Sequence, residues 1–175
     1  MIGGGAPLGL CGSGVVDAIA GLRRAGVIAP SGRMAAGVPR TGWPLVPDAP
    51  ALRLTRGDID VFQRAKAAVA AGIVCLLRLA GVSAGDLART HVTGIFGRYL
   101  DMANAQAVGL LPAGAPERLV RMQDSALCGC ERLLADDGAG TLRNIRSVAR
   151  HVNLAMATDY EDLFIEHLRL TPIRP

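Results

Sequence analysis

The chain has 175 residues, half of them hydrophobic, which is enough for one domain with a substantial core. Because aromatic residues make up only 3% of the chain, this core must be mainly aliphatic. The net charge of +4 is modest, and the sequence shows neither a basic stripe nor an aromatic stacking platform. The composition therefore argues against a nucleic-acid-binding protein.

The cysteines and the N-terminal residues indicate a cytoplasmic setting. Cys75 lies in an apolar helical pattern, typical of a small buried hydrophobe. Cys128 and Cys130 lack the two-residue spacer of common zinc and redox pairs, so free thiols are the better interpretation and a metal or thiol function the alternative. We see no signal peptide, and the longest apolar run, residues 67–77, is too short to span a bilayer. We expect a soluble cytoplasmic protein without a membrane partner.

The first predicted helix begins in the glycine-rich segment 9–14 and ends at Gly26, with Ser13 as its cap. Its apolar positions follow helical spacing: Val15, Val16, Ile19 and Leu22. A glycine-rich helix start exposes main-chain N–H groups that suit an anion, although an ordinary tight turn is the commoner explanation. Residues 27–54 hold five prolines and predict a Pro-rich loop, with room for a hairpin and a strand over 51–54; Trp43 should pin this loop to the body.

Residues 55–58 form a variant of the capping box and predict the start of the longest helix, which should run to Gly81. The second half of this helix is so apolar that we expect it to be buried on most sides. Lys66 lies among alanines, and two interpretations stay open: a surface lysine whose stem covers the protein, or a ligand contact. Ser83 should cap a short turn that leads into the next strand.

The segment Thr90–Asp101 organises the rest of the chain. Val92 and Thr93 favour a strand, Gly94 and Gly97 interrupt it, and residues 104–111 predict a short helix. A strand that ends in glycines before a helix is where α/β proteins bring the backbone close to a ligand.

The C-terminal part of the chain predicts further short elements. They are a strand over 118–122, helices over 125–134, 142–150 (capped by Thr141) and 159–168, and a strand over 151–156. Alternating strands and helices indicate an α/β fold with some parallel pairing. The usual catalytic motifs are missing and the three histidines are isolated, so we predict no catalytic residue.

Five segments in this order resemble the C-terminal region of the reductive activators of corrinoid proteins, a family of the ASKHA superfamily. They are Gly9–Asp17, Leu54–Ile59, Gly94–Asp101, Gly109–Pro112 and Asp162–Glu166. The resemblance covers nearly the whole chain. It implies an ASKHA, RNase H-like half-domain over residues 1–175, with a mixed sheet flanked by helices that is incomplete on its own.

The resemblance also implies a function. Such activators use ATP with Mg to return inactive Co(II) corrinoid methyltransfer proteins to Co(I). The partner would be a corrinoid protein, and the chain could form a homodimer. The ferredoxin-like [2Fe-2S] module and the other ATPase half would lie outside this chain, which has no iron–sulfur ligands and should be inactive alone.

For the nucleotide site, the resemblance matches Gly94, Ile95, Phe96 and Gly97 to an adenosine motif. Gly12 and Ser13 match the helix start on the same side of the cleft. Lys66 and Asp124 are the remaining candidate residues for nucleotide binding. Ile95 stands where the family usually has glycine, and Asp124 where it usually has asparagine. These two residues motivate an alternative: a non-catalytic interaction domain that keeps the fold and no longer binds nucleotide.

Overall fold

A computed structural model describes residues 7–46, 49, 51–122, 124–135 and 137–173. In this part of the chain the α-helices are α1 (Gly12–Arg24), α2 (Arg56–Ala80), α3 (Gly94–Tyr99), α4 (Met102–Ala107), α5 (Ser125–Ala135), α6 (Gly138–Val148) and α7 (Tyr160–Glu166). The strands are β1 (Trp43–Pro44), β2 (Arg53–Leu54), β3 (Thr90–Thr93) and β4 (Leu119–Met122). The predicted α/β class is confirmed. None of the described helices is long and apolar enough to cross a membrane.

The described strands form two small sheets. β1 and β2 pair antiparallel, so the Pro-rich loop does contain a short hairpin, and Trp43 packs against the main core as predicted. β3 and β4 pair in parallel, with Thr90 opposite Leu119 and Thr93 opposite Met122. Both strands therefore end at the same edge of their sheet.

α1 ends as predicted but begins differently. Gly26 adopts a left-handed φ of 72° just after the helix, a conformation that glycine allows at little cost. The prediction that Ser13 caps the helix is wrong, because the N-cap residue is Cys11 and Ser13 lies inside the first turn. Ser13 is buried there, with its Oγ 3.2 Å from the Sγ of Cys11.

α2 has the predicted capping box. The Oγ of Thr55 accepts a hydrogen bond from the main-chain N–H of Asp58, whose carboxylate accepts from the N–H of Thr55. The helix ends at Gly81, whose φ is 68°. The prediction of burial on most sides is wrong, since Leu76 is 48% and Leu79 64% exposed. The buried residues of this helix are Ile59, Lys66, Ala67, Ala70, Ala71, Gly72 and Cys75.

The core lies between α1, α2, α4 and the C-terminal segment. Its fully buried aliphatic members include Val16, Ile19, Ile28, Leu54, Ile59, Leu100, Val108 and Leu170. The N–H of Leu170 donates to the carbonyl oxygen of Pro30, and Arg23 Nε donates to the carbonyl oxygen of Leu170. These contacts hold the segment 168–173 on the domain. Leu163 of α7 is buried in a second cluster with Cys75, which was predicted to be a small buried hydrophobe.

Two predictions near the C terminus are wrong. Residues 151–156 do not form a strand; Asn153 accepts a hydrogen bond from the N–H of Ala155 and starts a 3-10 turn over Leu154–Met156. Thr141 does not cap the helix after it. α6 already begins at Gly138, because the Asp137 carboxylate accepts a hydrogen bond from the N–H of Gly140.

Candidate functional site

The turn from β3 to α3 depends on its two glycines. Gly94 has a φ of 81°, in the left-handed region that favours glycine, and this lets the strand turn directly into the helix. A Cβ on Gly97 would lie 2.8 Å from Cγ1 of Val92, so only glycine allows α3 to pack this closely on β3. Ile95, between them, is 71% exposed.

Asp124 lies two residues after β4 and directly before α5. It has a left-handed φ of 49°, and its carbonyl oxygen accepts a hydrogen bond from the N–H of Cys128 in the first turn of α5. Because β3 and β4 are parallel, Gly94 and Asp124 both follow strands at the carboxyl edge of the sheet. This edge is the usual place for ligands in α/β proteins.

A cavity of about 620 Å³ opens between α1, β2 and α2, and its lining is mainly apolar. Three of the predicted site residues line it: Gly12, Lys66 and Phe96. The Phe96 ring lies directly against Gly12, since a Cβ on Gly12 would come within 3.0 Å of its Cε2. The first turn of α1 and the side of α3 therefore form one wall together.

Lys66 is the most unusual residue of this cavity. Its side chain is 1% exposed, so the interpretation as a surface lysine is wrong. Nζ donates a hydrogen bond of 2.5 Å to the main-chain oxygen of Arg169, and burial lowers the pKa of Lys66 to about 8. The ion pairs found among the described residues join Arg64 with Asp60 and Arg78 with Asp159, and none includes Lys66. An ammonium group has three donors, and the contact with Arg169 uses one of them.

The other predicted residues lie elsewhere. Gly94, Ile95 and Asp124 lie at the carboxyl edge of the sheet, Gly97 of α3 packs against Val92 of β3, and Ser13 is buried against Cys11. Three predicted site residues thus line the cavity, and three others lie at the edge of the sheet. α3 contains residues of both groups.

Two polar residues of the cavity were not predicted. Arg53 and Asp58 line it near the start of α2. The capping-box pattern explains why Asp58 is present, but no local signal shows that β2 places Arg53, and α2 places Asp58, at the cavity wall.

A hydrogen-bond network fixes α1 on α4, and it too was not predicted. Asn104 Nδ2 donates to Asp17 Oδ1 over 2.8 Å, and Arg24 Nη1 donates to Asn104 Oδ1 over 2.6 Å. Asp101 caps α4 by accepting from the N–H of Asn104. The network holds the helix that carries Gly12 against the segment that follows α3.

Metal binding finds no support in the described residues, which contain no group of three or more His, Cys, Asp or Glu side chains able to hold a metal ion. Cys128 and Cys130 are exposed free thiols in α5.

Comparison with known proteins identifies the family. Residues 1–174 match the family described as the C-terminal domain of RACo, the ASKHA domain. The chain belongs to this family. The predicted family and its ASKHA fold are thereby confirmed.

Individual relatives agree with this assignment. The chain is similar to the corrinoid activation enzyme RamQ of Eubacterium limosum, at 32% identity over 94% of this chain and 32% of RamQ. It is also similar to the Co(II) methylated amine-specific corrinoid protein reductase of Methanosarcina barkeri, at 24% identity over 86% of this chain and 27% of that protein. The chain spans about a third of the length of these curated relatives.

A solved structure supports the fold. The reductive activator for corrinoid, iron-sulfur protein superposes with a TM-score of 0.80 at 26% identity, over 96% of this chain and 29% of that one.

Proposed function

We propose that this chain is the nucleotide-binding, C-terminal part of an ATP-dependent activator that supports reductive reactivation of Co(II) corrinoid proteins in the cytoplasm. Membership of the RACo C-terminal family and the names of the relatives support this proposal. The corrinoid protein is the proposed partner. Because the chain corresponds to a third of such relatives, electron transfer and ATP turnover would need groups that it does not contain.

The observation that carries the proposal is the buried Lys66 ammonium in the cavity shared with Gly12 and Phe96. A buried charge without a counter-ion costs free energy, and an anionic ligand would offset that cost. We infer that the Lys66 ammonium binds a phosphate oxygen of the nucleotide.

The apolar walls and the Phe96 ring suit the base of the same nucleotide. Magnesium would then be bound mainly by phosphate oxygens and water, as is common for this ion. The role of this chain is to bind and orient the nucleotide.

Titration with Mg-ATP and with adenosine tests the proposal on the isolated chain. We expect a Kd for ATP of about 1 mM or weaker, because most phosphate contacts are absent. Lys66→Met should weaken ATP binding about tenfold and leave adenosine binding unchanged, since a charge-assisted hydrogen bond is lost. Equilibrium dialysis or NMR chemical-shift titration measures both affinities.

Arg64→Met is the matched control, because Arg64 lies on the same helix and its side chain is 59% exposed in a surface ion pair. This variant should bind both ligands like the parent chain. Submicromolar ATP binding or turnover by the isolated chain would contradict the proposal of a partial site, and an equal loss of ATP and adenosine in Lys66→Met would contradict the phosphate role.

The second candidate function is an interaction domain without nucleotide, and Asp124 at the carboxyl edge of the sheet favours it. A carboxylate there would repel phosphate. Ile95 supports this candidate less, because its exposed side chain does not line the cavity. If Asp124→Asn or Ile95→Gly raises the affinity for ATP more than about tenfold, the native side chain at that position impairs nucleotide binding. An unchanged ATP affinity would count against the interaction domain as the function.

A further inference from the structure

A second cavity, of about 600 Å³, lies between the C-terminal half of α2, the segment 82–84, α7 and the segment 168–173. It shares no lining residue with the nucleotide cavity. Its volume is typical of small-molecule sites, which combine apolar walls with a few polar groups. The apolar part of its lining consists of Val74, Leu77, Val82, Ala84, Leu163 and Pro172.

Two opposite charges in this lining have no ion-pair partner. Glu166 and Arg169 both line the cavity with exposed side chains, and the ion pairs found among the described residues involve neither of them. They lie three residues apart at the end of α7, yet they form no ion pair with each other. A guanidinium and a carboxylate are therefore both open to a ligand of this cavity.

The other titratable groups of the lining add no excess of either charge. Arg78 is paired, because its Nη1 donates to Asp159 Oδ2 over 2.5 Å. Burial lowers the pKa of His167, Glu166 opposes this shift, and the charges of Lys66 and Arg78 add to it, so the imidazole is neutral at pH 7. The cavity thus suits a ligand that carries both charges better than a simple anion or cation.

We propose that this cavity binds a zwitterion with an aliphatic side chain, the chemistry of an aliphatic α-amino acid or of a dipeptide of such residues. The Arg169 guanidinium binds the carboxylate, whose two oxygens match its planar donors. The Glu166 carboxylate accepts from the ammonium group, and the aliphatic side chain lies against Leu77, Val82 and Leu163. The proposal does not depend on nucleotide binding.

The lining also argues against two other kinds of ligand. None of the described lining residues is Phe, Tyr or Trp. Quaternary ammonium groups are usually bound by such aromatic side chains, and aromatic ligands usually stack on them. A primary ammonium group and an aliphatic side chain therefore fit this cavity better.

A ligand in this cavity would stabilise the end of the domain. Arg169 and Thr171 line the cavity, and their main-chain oxygens contact other parts of the chain. The oxygen of Arg169 accepts from Lys66 Nζ, and the oxygen of Thr171 lies against Gly109. Holding the Arg169 side chain should therefore oppose release of the segment 168–173, and binding should raise the thermal midpoint of the chain.

Four probes with the same aliphatic group test the proposal on the isolated chain. L-leucine and L-leucyl-L-leucine carry both charges, 4-methylpentanoate carries only the negative charge and 3-methylbutylamine only the positive one. We expect a Kd of about 0.1 mM for the better zwitterion and values at least about tenfold higher for the singly charged probes. At about 10 mM this zwitterion should raise the thermal midpoint by about 5 °C. NMR titration compares leucine with the dipeptide and shows which of the two sizes the cavity takes.

Two variants assign the charges. Arg169→Gln and Glu166→Gln change exposed side chains, and each should weaken zwitterion binding at least about tenfold. Arg169→Gln should leave the affinity for 3-methylbutylamine unchanged, and Glu166→Gln that for 4-methylpentanoate. The matched controls are Arg143→Gln on α6 and Glu161→Gln on α7, exposed residues outside the cavity, which should bind all four probes like the parent chain.

Three results would overturn the proposal. They are no binding of either zwitterion at about 10 mM, zwitterion binding that both variants leave unchanged, and an affinity for 4-methylpentanoate equal to that for the zwitterions. The last result would assign the cavity to a simple carboxylate and leave Glu166 without a role. None of these titrations contains nucleotide, so their failure is distinguishable from failure of the proposed function.

Discussion

The ammonium nitrogen of Lys66 donates a hydrogen bond to the main-chain oxygen of Arg169, 103 residues further along the chain. This contact joins the cavity to the C-terminal segment, which Gln63 of the same helix also holds by donating to the carbonyl oxygen of Leu168. The wall of the candidate nucleotide site is therefore stabilised by the end of the domain. A substitution at Lys66 should therefore also affect the segment 168–173, and a substitution in that segment should affect the cavity wall.

The first prediction concerns the pH dependence of stability. Burial lowers the pKa of Lys66 from 10.5 to about 8 in the folded chain. Between these values the unfolded chain binds one proton more, so Lys66 makes the free energy of unfolding rise with pH. The gain should reach about 3 kcal/mol at most, at roughly 1.4 kcal/mol per pKa unit. Urea unfolding of the parent chain and of Lys66→Met from pH 7 to 10.5 measures the difference.

Lys66→Met should lack this rise, whereas Arg64→Met should keep it. Other groups titrate in the same pH range. The test therefore uses the difference in the free energy of unfolding between the parent and Lys66→Met at each pH. Parallel pH profiles for the parent and Lys66→Met would show that the ammonium is not desolvated.

The second prediction concerns Gly109. It has a φ of 76°, and a Cβ at this position would lie against the carbonyl oxygen of Thr171 and 3.2 Å from Lys66 Nζ. Gly109→Ala should therefore displace the C-terminal segment and lower the free energy of unfolding by about 3 kcal/mol or more. Gly21→Ala is the control, because it lies in α1 with open space around its Cβ, and it should stabilise by up to about 1 kcal/mol. Urea unfolding measures the free energy of unfolding of both variants. Equal changes in this free energy would mean that the C-terminal segment moves without a loss of stability.

Local signals explain which parts of the fold were predictable. The capping box of Thr55 and Asp58, the stop at Gly81 and the turn at Gly94 follow from short-range sterics and hydrogen bonds, and the sequence displays them directly. The partial exposure of α2 was not predictable, because it depends on which elements cover the helix.

The site was predictable only in part for the same reason. A motif predicts Phe96 and Gly12 as candidate site residues, but their direct contact arises from tertiary packing of α1 on α3. Lys66 could be recognised as a lysine among alanines, whereas its burial depends on a carbonyl group about a hundred residues away. The Asp17–Asn104 bond likewise joins segments 87 residues apart.

The third prediction tests the corrected start of α6. Asp137→Ala removes the side chain that accepts from the N–H of Gly140, so we expect it to cost about 1 kcal/mol of stability. Thr141→Ala removes a side chain within the helix and should change stability by a few tenths of a kcal/mol, because alanine is a good helix former. Thermal unfolding of the two variants measures this, and a larger loss for Thr141→Ala would restore Thr141 as the cap.

The last prediction concerns the bond from Asn104 Nδ2 to Asp17 Oδ1, which fixes α1 on α4. Asn104→Ala also leaves Arg24 without its amide partner, so we expect a loss of about 1–2 kcal/mol. In a double-mutant cycle with Asp17→Ala, the coupling energy should be about 1 kcal/mol, because the two side chains act as one unit.

Asn144→Ala, at an exposed position of α6, provides the control for loss of an asparagine side chain and should be near neutral. If α1 carries Gly12 into the nucleotide site, the Asp17 and Asn104 variants should also weaken ATP binding beyond what their stability loss explains at 10 °C, where both remain folded. An unchanged ATP affinity in folded Asn104→Ala would show that the network stabilises the domain without positioning the cavity wall.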